Sequence, residues 1–306
     1  MGLDLASHFS LFQTLARQAS EVLGFDLTAL ITGDDKRLNQ TAYTQPALLW
    51  AGYASFLAFR ERGGPAPDLV CGHSLGEYTA LVAVETLSFT DAIRLVHERG
   101  RLMQQQVAAD EALMAAVIGL DDEQVSQLCA DVCSELGDAQ ALSPANFNSK
   151  GQVVIAGKSA ALASLHDKGK ALGAKRVLPL AMSVPSHCPL MEGARTQLAA
   201  FAEDIPFNQA QTPVVQNLDA TKRTNGAAIK IALLNQLTHP VRWRQSMEAV
   251  SAASDFVESG PGNVLQGLAK RSLADTRLHG IGGVASFNRA CQSFGLPPLP
   301  EESECR

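Results

Sequence analysis

The chain of 306 residues is long enough to bury a large core in one or two domains. Apolar residues make up 46% and charged residues 18%, as in ordinary globular proteins, and the net charge of −6 gives no reason to expect a nucleic-acid partner. No apolar run approaches the roughly 18 residues that a membrane span needs, and no Cys/His spacing suggests a metal site. Six scattered cysteines and the lack of a signal peptide predict reduced thiols and a cytoplasmic protein.

The first part of the chain is predicted to be helical. Apolar residues recur at helical spacing over residues 4–24, and a second, strongly apolar helix extends from Gln45 to Phe59. The segment Arg62-Gly63-Gly64-Pro65 then closes that helix.

The segment Gly72-His73-Ser74-Leu75-Gly76 lies between a short strand predicted to be buried, 67–70, and an apolar helix, 77–84. Its Gly-x-Ser-x-Gly pattern is that of a nucleophile elbow, a sharp strand-to-helix turn that exposes a serine. Ser74 is therefore a candidate nucleophile, and the Leu75 amide at the helix start is a candidate donor to an oxyanion. A glycine-rich turn that only packs a helix on a sheet is the alternative.

Arg99 lies on the apolar face of the next predicted helix, which runs to about residue 107. The apolar stripe consists of Ala92, Val96, Met103 and Val107. A guanidinium on a buried face needs a planar anionic partner. An internal Asp or Glu, or an arginine that reaches solvent past the helix edge, would explain this position without any ligand.

Residues 113–181 are predicted to form a small inserted domain. Strands near 114–120, 141–147, 152–156 and 176–181 alternate with helices near 122–136 and 159–172. The order β-α-β-β-α-β is that of a ferredoxin-like fold. We therefore expect an α/β protein, with a larger α/β-hydrolase-like domain of mostly parallel sheet over 1–112 and 182–284, and a flexible acidic tail over 285–306.

His187 lies in the segment Ser183-Val184-Pro185-Ser186-His187-Cys188-Pro189, where the prolines predict an extended loop. The loop joins the two predicted domains, and a cleft is expected at such a junction. A lone histidine is more often an ordinary surface or core residue. Its place on this loop makes His187 the candidate general base among seven histidines.

Several segments together resemble the malonyl-CoA:acyl carrier protein transacylase family. The matching segments are Thr44-Gln45-Pro46-Ala47, Gly72-His73-Ser74-Leu75-Gly76-Glu77-Tyr78, Arg99-Gly100, Asn146-Phe147-Asn148, Val184-Pro185-Ser186-His187 and Gly260-Pro261-Gly262. They occur in the family's order and extend from about residue 40 to about residue 270. The joint match is specific and spans most of the chain.

The resemblance implies a role for each matching residue. Ser74 would carry the acyl group, His187 would be the general base, and the backbone carbonyl of Gln236 would orient His187. Arg99 would hold the malonyl carboxylate. The other predicted substrate-binding residues are His73, Asn148, Gln45 and Met103, although a helix-capping role for Gln45 is an equal alternative.

The resemblance also implies ping-pong transfer of a malonyl group from malonyl-CoA to the phosphopantetheine thiol of acyl carrier protein, for fatty acid biosynthesis. It implies no cofactor and no metal, and we expect a monomer that binds neither membrane nor nucleic acid. Acyl carrier proteins are acidic, so a basic rim is expected. Its candidates are Lys150, Lys175, Arg176, Lys270 and Arg271, with ordinary solvated surface as the alternative for each.

One feature departs from the family pattern. Family members usually open with a short apolar strand and a Gly-Gln-Gly-Ser-Gln loop, and this sequence starts just past that point. Their loss would remove an interior strand and one of two oxyanion donors, a donor worth about 3 kcal/mol. We therefore expect the chain to be less soluble or less active than a version extended upstream.

Three alternatives to the fatty acid enzyme remain. The first is a discrete acyltransferase of a polyketide synthase, which the carrier protein it accepts would distinguish. The second is a serine hydrolase or thioesterase, although no late Asp…His pair follows the elbow and Arg99 would then have no role. The third is an N-terminally truncated, inactive form.

Overall fold

The computed structural model describes residues 3–108, 110–180 and 184–300. It confirms the α/β class, with two sheet-containing parts. We call the part from Ala112 to Pro179 the small unit and the other described residues the large unit.

Helices dominate the first part of the large unit, as predicted. They pack around an apolar core that includes Phe12, Leu49 and Ile93. The elements are α1 (Leu3–Ala6), α2 (Ser10–Leu23), α3 (Leu27–Thr32), α4 (Thr41–Glu61), β1 (Val70–Cys71), α5 (Leu75–Ala83) and α6 (Phe89–Gln104).

The small unit has the predicted β-α-β-β-α-β order. Its elements are β2 (Ala112–Ile118), α7 (Asp122–Leu136), β3 (Leu142–Ser149), β4 (Gln152–Lys158), α8 (Leu162–Ala171) and β5 (Arg176–Pro179). The strands form an antiparallel sheet in the order β3-β4-β2-β5, which is the ferredoxin-like arrangement. The predicted end of this domain, residue 181, lies outside the described residues.

The chain then returns to the large unit. The remaining elements are α9 (Glu192–Phe201), β6 (Val214–Val215), β7 (Lys222–Arg223), α10 (Gly226–Asn235), α11 (Trp243–Ala249), β8 (Asp255–Glu258), α12 (Val264–Ala269), β9 (Arg277–Gly280) and α13 (Val284–Ser293). The pairs β1–β6 and β8–β9 are parallel, and β6–β7 is antiparallel.

The strand before the elbow differs from the prediction. It comprises Val70 and Cys71 only, and both residues are half-buried rather than buried. In the part of the chain that the structure describes, β1 pairs with β6 alone, and this leaves its second edge without a strand partner.

The predicted flexible tail is wrong for residues 285–300. Helix α13 begins at Val284, and Phe287, Ala290 and Cys291 are buried. The ring of Phe287 lies 5.6 Å from that of Phe9 and 6.1 Å from that of Phe59. The apolar side chains recur at helical spacing, but the polar residues between them hide this pattern in the sequence.

Backbone pairing joins the two units. Phe147 N donates to Val241 O at 2.9 Å, and Val241 N donates to Ala145 O at 2.8 Å. An ion pair between Arg244 and Asp122 at 2.6 Å reinforces the same junction. The central part of β3 is therefore fixed against the large unit. None of the described helices is long and apolar enough to cross a membrane.

Candidate active site

Ser74 lies in a strained turn between β1 and α5. Its φ of 52° and ψ of −107° fall outside the regions that a residue with a side chain prefers. A Cβ atom on Gly72 would lie 2.0 Å from the carbonyl carbon and oxygen of Gly76, so the turn requires glycine there. The segment thus has the geometry of the predicted nucleophile elbow.

The Leu75 amide is the first of α5. The next two amides, of Gly76 and Glu77, donate to His73 O and Ser74 O. Among the described residues, the Leu75 N–H group donates no backbone hydrogen bond. This N–H group is therefore available at the positive end of the helix, as an oxyanion donor must be.

His187 contacts Ser74 directly. Its Nδ1 lies 2.9 Å from the carbonyl oxygen of Gln236, so Nδ1 carries the ring proton. Its Nε2 is then free to accept from Ser74 Oγ, which lies 2.7 Å away. Burial, and next the charge of Arg99, lower the pKa of His187 to about 3, so the ring is neutral at physiological pH.

Arg99 is 2% exposed, which excludes the alternative that it reaches solvent. No ion pair holds it within the described ranges. Its Nη2 donates to Ser74 Oγ at 3.1 Å and to Gln236 Oε1 at 3.3 Å. A buried cation thus points at the hydroxyl oxygen of Ser74 without a carboxylate bound directly to it.

Gln45 and Met103 lie behind Arg99. Gln45 Oε1 accepts from Arg99 Nη1 at 2.7 Å, and Gln45 Nε2 lies 3.6 Å from Met103 Sδ. Gln45 is buried inside α4, whose N-cap is Gln40, so the capping alternative is wrong. Its contact instead orients the guanidinium.

His73 and Asn148 form a second pair beside Ser74. His73 Nε2 lies 2.9 Å from Asn148 Oδ1, and the His73 ring lies 5.3 Å from that of Trp243. The pairing of β3 with β4 skips Asn148, because Phe147 faces Val153 and Ser149 faces Gln152. This bulge directs the side chain of Asn148 from the small unit toward His73.

Sequence reasoning missed Glu77, Asn217 and the side chain of Gln236. Asn217 Oδ1 accepts from Ser74 N at 2.7 Å, and Glu77 Oε2 accepts from Gln236 Nε2 at 3.0 Å. Glu77 is fully buried, and its position on an otherwise apolar helix one turn after the nucleophile was the available signal. Asn217 lies in a loop and offered none.

The five predicted basic residues are exposed. Three belong to one end of the small unit, where Lys150 is in the β3–β4 turn and Lys175 and Arg176 adjoin Ile118. Arg271 of the large unit contacts the same end, because it donates to Ser149 Oγ and Gln152 Oε1. Lys270 is next to Arg271 in sequence. Within the described ranges none of the five forms an ion pair, and no three His, Cys, Asp or Glu residues are grouped as a metal would require.

Comparison with known proteins identifies the family. The acyl transferase domain family matches residues 1–285. The malonyl CoA-acyl carrier protein transacylase of Escherichia coli K12 is 46% identical over 276 residues, which are 89% of this chain and 88% of that protein. The transacylase of the same name from Haemophilus influenzae is 44% identical over 289 residues, 93% of this chain and 91% of that one.

Comparison with solved structures supports the same family. An acyl carrier protein S-malonyltransferase from Vibrio cholerae superposes with a TM-score of 0.90 at 44% identity, covering 94% of each chain. A malonyl-transacylase solved in complex with its type II polyketide synthase acyl carrier protein gives 0.91 at 44% identity, covering 96% of this chain and 94% of that one. The chain therefore belongs to the acyl transferase domain family, as a member of the malonyl-CoA:acyl carrier protein transacylases.

Proposed function

We propose that this protein transfers a malonyl group from malonyl-CoA, through an ester on Ser74, to the phosphopantetheine thiol of acyl carrier protein in fatty acid biosynthesis. One observation carries the proposal. Ser74 Oγ lies between a neutral base, His187 Nε2 at 2.7 Å, and a buried cation, Arg99 Nη2 at 3.1 Å. The names of its relatives supply the substrate and the acceptor.

In the first half-reaction His187 Nε2 takes the proton of Ser74 as Oγ attacks the thioester carbonyl. The Leu75 amide donates to the developing oxyanion. When the intermediate collapses, the carbon–sulfur bond breaks and the imidazolium returns the proton to the coenzyme A thiolate. The products are malonyl-Ser74 and free coenzyme A.

The second half-reaction reverses these roles. His187 takes the proton of the phosphopantetheine thiol as sulfur attacks the serine ester. The ester bond breaks, and the proton passes to Ser74 Oγ. The Gln236 carbonyl holds His187 in one tautomer throughout, because it accepts from Nδ1 and leaves Nε2 facing the serine.

Arg99 supports a dicarboxylic acyl group as the substrate. In the free protein its two terminal nitrogens donate to neutral acceptors, Gln45 and Gln236, and to Ser74. A malonyl carboxylate would offer this guanidinium a charge-assisted, two-pronged partner. A serine hydrolase acting on neutral esters would have no use for a buried cation beside its nucleophile.

The basic residues at one end of the small unit suit an acidic carrier protein. Lys150, Lys175, Arg176 and Arg271 bring four positive charges to one edge. Exposed charges of this kind steer association more than they add affinity. We propose this edge as part of the contact with acyl carrier protein.

The proposed reaction needs no metal or cofactor, because the base, oxyanion donor and carboxylate donor are groups of this chain. A cytoplasmic location is part of the same proposal. All described cysteines are free thiols, which suits a reducing compartment.

The test is incubation with malonyl-CoA, followed by intact-mass measurement, and then addition of a holo-acyl carrier protein. We expect one malonyl adduct on the peptide containing Ser74 and its transfer to the carrier. An absent adduct, or an adduct that water removes faster than the carrier does, would contradict the proposal.

A polyketide carrier is the second candidate, because one similar structure contains a type II polyketide synthase carrier with its transacylase. Paired assays with a fatty acid carrier and a polyketide carrier from the source organism separate the two. Higher kcat/KM with the fatty acid carrier supports the first assignment, and the reverse order supports the second.

A further inference from the structure

Glu77 is a fully buried carboxylate that the reaction described above does not use. It lies on α5, three residues after the nucleophile. Its Oε1 accepts from Gln216 Nε2 at 3.1 Å, and its Oε2 accepts from Asn217 N at 2.9 Å and Gln236 Nε2 at 3.0 Å. Three N–H donors thus surround one carboxylate in the core.

One branch of these contacts leads to the nucleophile. Asn217, whose amide binds Glu77, accepts from Ser74 N at 2.7 Å with Oδ1 and donates to Gly72 O at 2.7 Å with Nδ2. It therefore bridges the elbow across the residue whose φ is 52°. A strained backbone persists only where its surroundings hold it, and this bridge is such a constraint.

The other branch leads to the base and to the cation. Gln236 Nε2 donates both to Glu77 and, at 3.1 Å, to Ser74 O. Gln236 Oε1 accepts from Arg99 Nη2, while the main-chain carbonyl of the same residue accepts from His187 Nδ1. Holding the side chain of Gln236 therefore also holds the carbonyl that orients His187.

We propose that Glu77 is a positioning residue for acyl transfer, which acts through Asn217 on the nucleophile and through Gln236 on the base and Arg99. This inference rests on the proposed function and adds a residue to it. Glu77 touches no reacting atom, and its effect reaches them through two side chains. It links in one place the three groups that must be aligned for the attack.

A carboxylate is required at this position because every partner donates. A carboxamide of the same size would turn an NH₂ group toward one of three N–H donors, and that contact would be repulsive. The charge matters as well. Burial lowers the pKa of the Arg99 guanidinium, whereas Tyr78 and Glu77 act to raise it, so Glu77 helps to keep the buried cation charged.

Glu258 provides a matched control. It is also a buried glutamate that accepts from three N–H groups, namely Leu265 N at 2.9 Å, Gln266 N at 3.0 Å and Gln266 Nε2 at 3.1 Å. Those donors belong to the start of α12 and contact none of the site residues. Glu258→Gln therefore removes a buried carboxylate and its hydrogen bonds without affecting the position of the site residues.

The experiment compares wild type, Glu77→Gln and Glu258→Gln. The final fraction of Ser74 that carries malonyl measures how much of the protein is folded. The single-turnover acylation rate measures how well Ser74, His187 and Arg99 are aligned. For Glu77→Gln we expect near-full occupancy with a rate about 100-fold lower, the size of effect that a misplacement of about 1 Å produces. For Glu258→Gln we expect a lower Tm and an unchanged rate per occupied site.

A double-mutant cycle that combines Glu77→Gln with Gln236→Leu tests whether Glu77 acts through the Gln236 side chain. That change keeps the main-chain carbonyl and removes only the side-chain contacts. If Glu77 acts largely through Gln236, the double variant should be at most about threefold slower than Glu77→Gln alone. The reaction of Ser74 with an uncharged fluorophosphonate should slow in parallel, because nucleophile and base are both affected.

An unchanged rate per occupied site in Glu77→Gln would overturn the proposal, as would fully multiplicative effects in the cycle. If Glu77→Gln does not fold, the acylation rate of Gln236→Leu alone tests the proposal. A wild-type acylation rate in that variant would also overturn it. Failure of the proposed function is a separate result, because wild type itself would then form no malonyl adduct.

Discussion

The two units of this protein bury different kinds of side chain. The core of the small unit consists of residues such as Val125, Leu128 and Ile155, and none of its buried residues is charged. The large unit buries Glu77, Arg99 and Glu258. All four described non-glycine residues with positive φ also lie in the large unit, and Ser74 and His187 are two of them.

The difference shows where in the fold energetically unfavourable features occur. Buried charges and strained backbone are unfavourable unless their neighbours compensate. In the large unit two of the three buried charges, Glu77 and Arg99, lie at the proposed reaction centre, as do Ser74 and His187, and fixed donors and acceptors surround them there. The small unit follows ordinary packing rules, and its Asn148 reaches the site from a bulge near the end of β3.

The largest expected effect follows from removing the proposed nucleophile. Ser74→Ala should abolish the malonyl adduct and lower transfer by at least about 10⁴-fold, because Ser74 is the one hydroxyl among the described residues that bonds to both His187 and Arg99. The control is Ser55→Ala, a buried serine of the same unit that bonds only to Ala51 O within α4. Labelling that survives Ser74→Ala, measured by intact mass, would contradict the assignment.

Removing the base should cost less. His187→Ala should slow both acylation and transfer to the carrier thiol by about 10³-fold, the usual range for a general base. Stopped-flow acylation with malonyl-CoA measures the first step. Near-normal acylation of this variant across neutral pH would refute the role of His187.

Removing the Arg99 guanidinium should change the selectivity for malonyl over acetyl groups more than the rate of acyl transfer itself. We expect Arg99→Ala to lower malonyl transfer by about 100-fold and to affect acetyl transfer much less, since acetyl has no carboxylate. Arg99→Lys should recover only part, because an ammonium cannot form the two-pronged contact. Equal losses for malonyl-CoA and acetyl-CoA would instead indicate a structural role.

A core change in the small unit should affect stability and leave the chemistry intact. Leu128→Ala removes a fully buried side chain from α7 and should lower the free energy of unfolding by about 2–5 kcal/mol. The acylation rate per occupied Ser74 should stay at the wild-type value. A slower rate per site would show that the small unit aligns the site more strongly than its single contact suggests.

The smallest effect concerns pH. Burial lowers the pKa of His187 from 6.5 to about 3, so protonation favours the unfolded chain between these values. The stability from a neutral His187 is therefore complete above pH 6.5 and declines as the pH falls, by on the order of 2 kcal/mol between pH 7 and pH 5. His187→Gln should show a shallower decline in urea unfolding. Identical slopes for both proteins would contradict the lowered pKa.

Short sequence patterns predicted the parts of the site that depend on local geometry. The Gly-x-Ser-x-Gly spacing identified the elbow, because a tight strand-to-helix turn demands glycines at fixed positions around Ser74. Helical periodicity placed Arg99 on a buried face, and the β-α-β-β-α-β order identified the small unit. The polar face of α13 hid its apolar residues, and the prediction of a flexible tail there was wrong.

The sequence by itself determined the sharp turn that holds Ser74, the apolar helix face that carries Arg99 and the topology of the small unit, since each follows from residue spacing within single elements or from the order of those elements. Only the tertiary structure decided what those groups contact. Gln45 became the partner of Arg99, and Glu77 joined Asn217 and Gln236 beneath the nucleophile, across separations of up to 159 residues. Such contacts depend on how helices and loops pack together. A local sequence pattern does not specify which distant donor a buried side chain will contact.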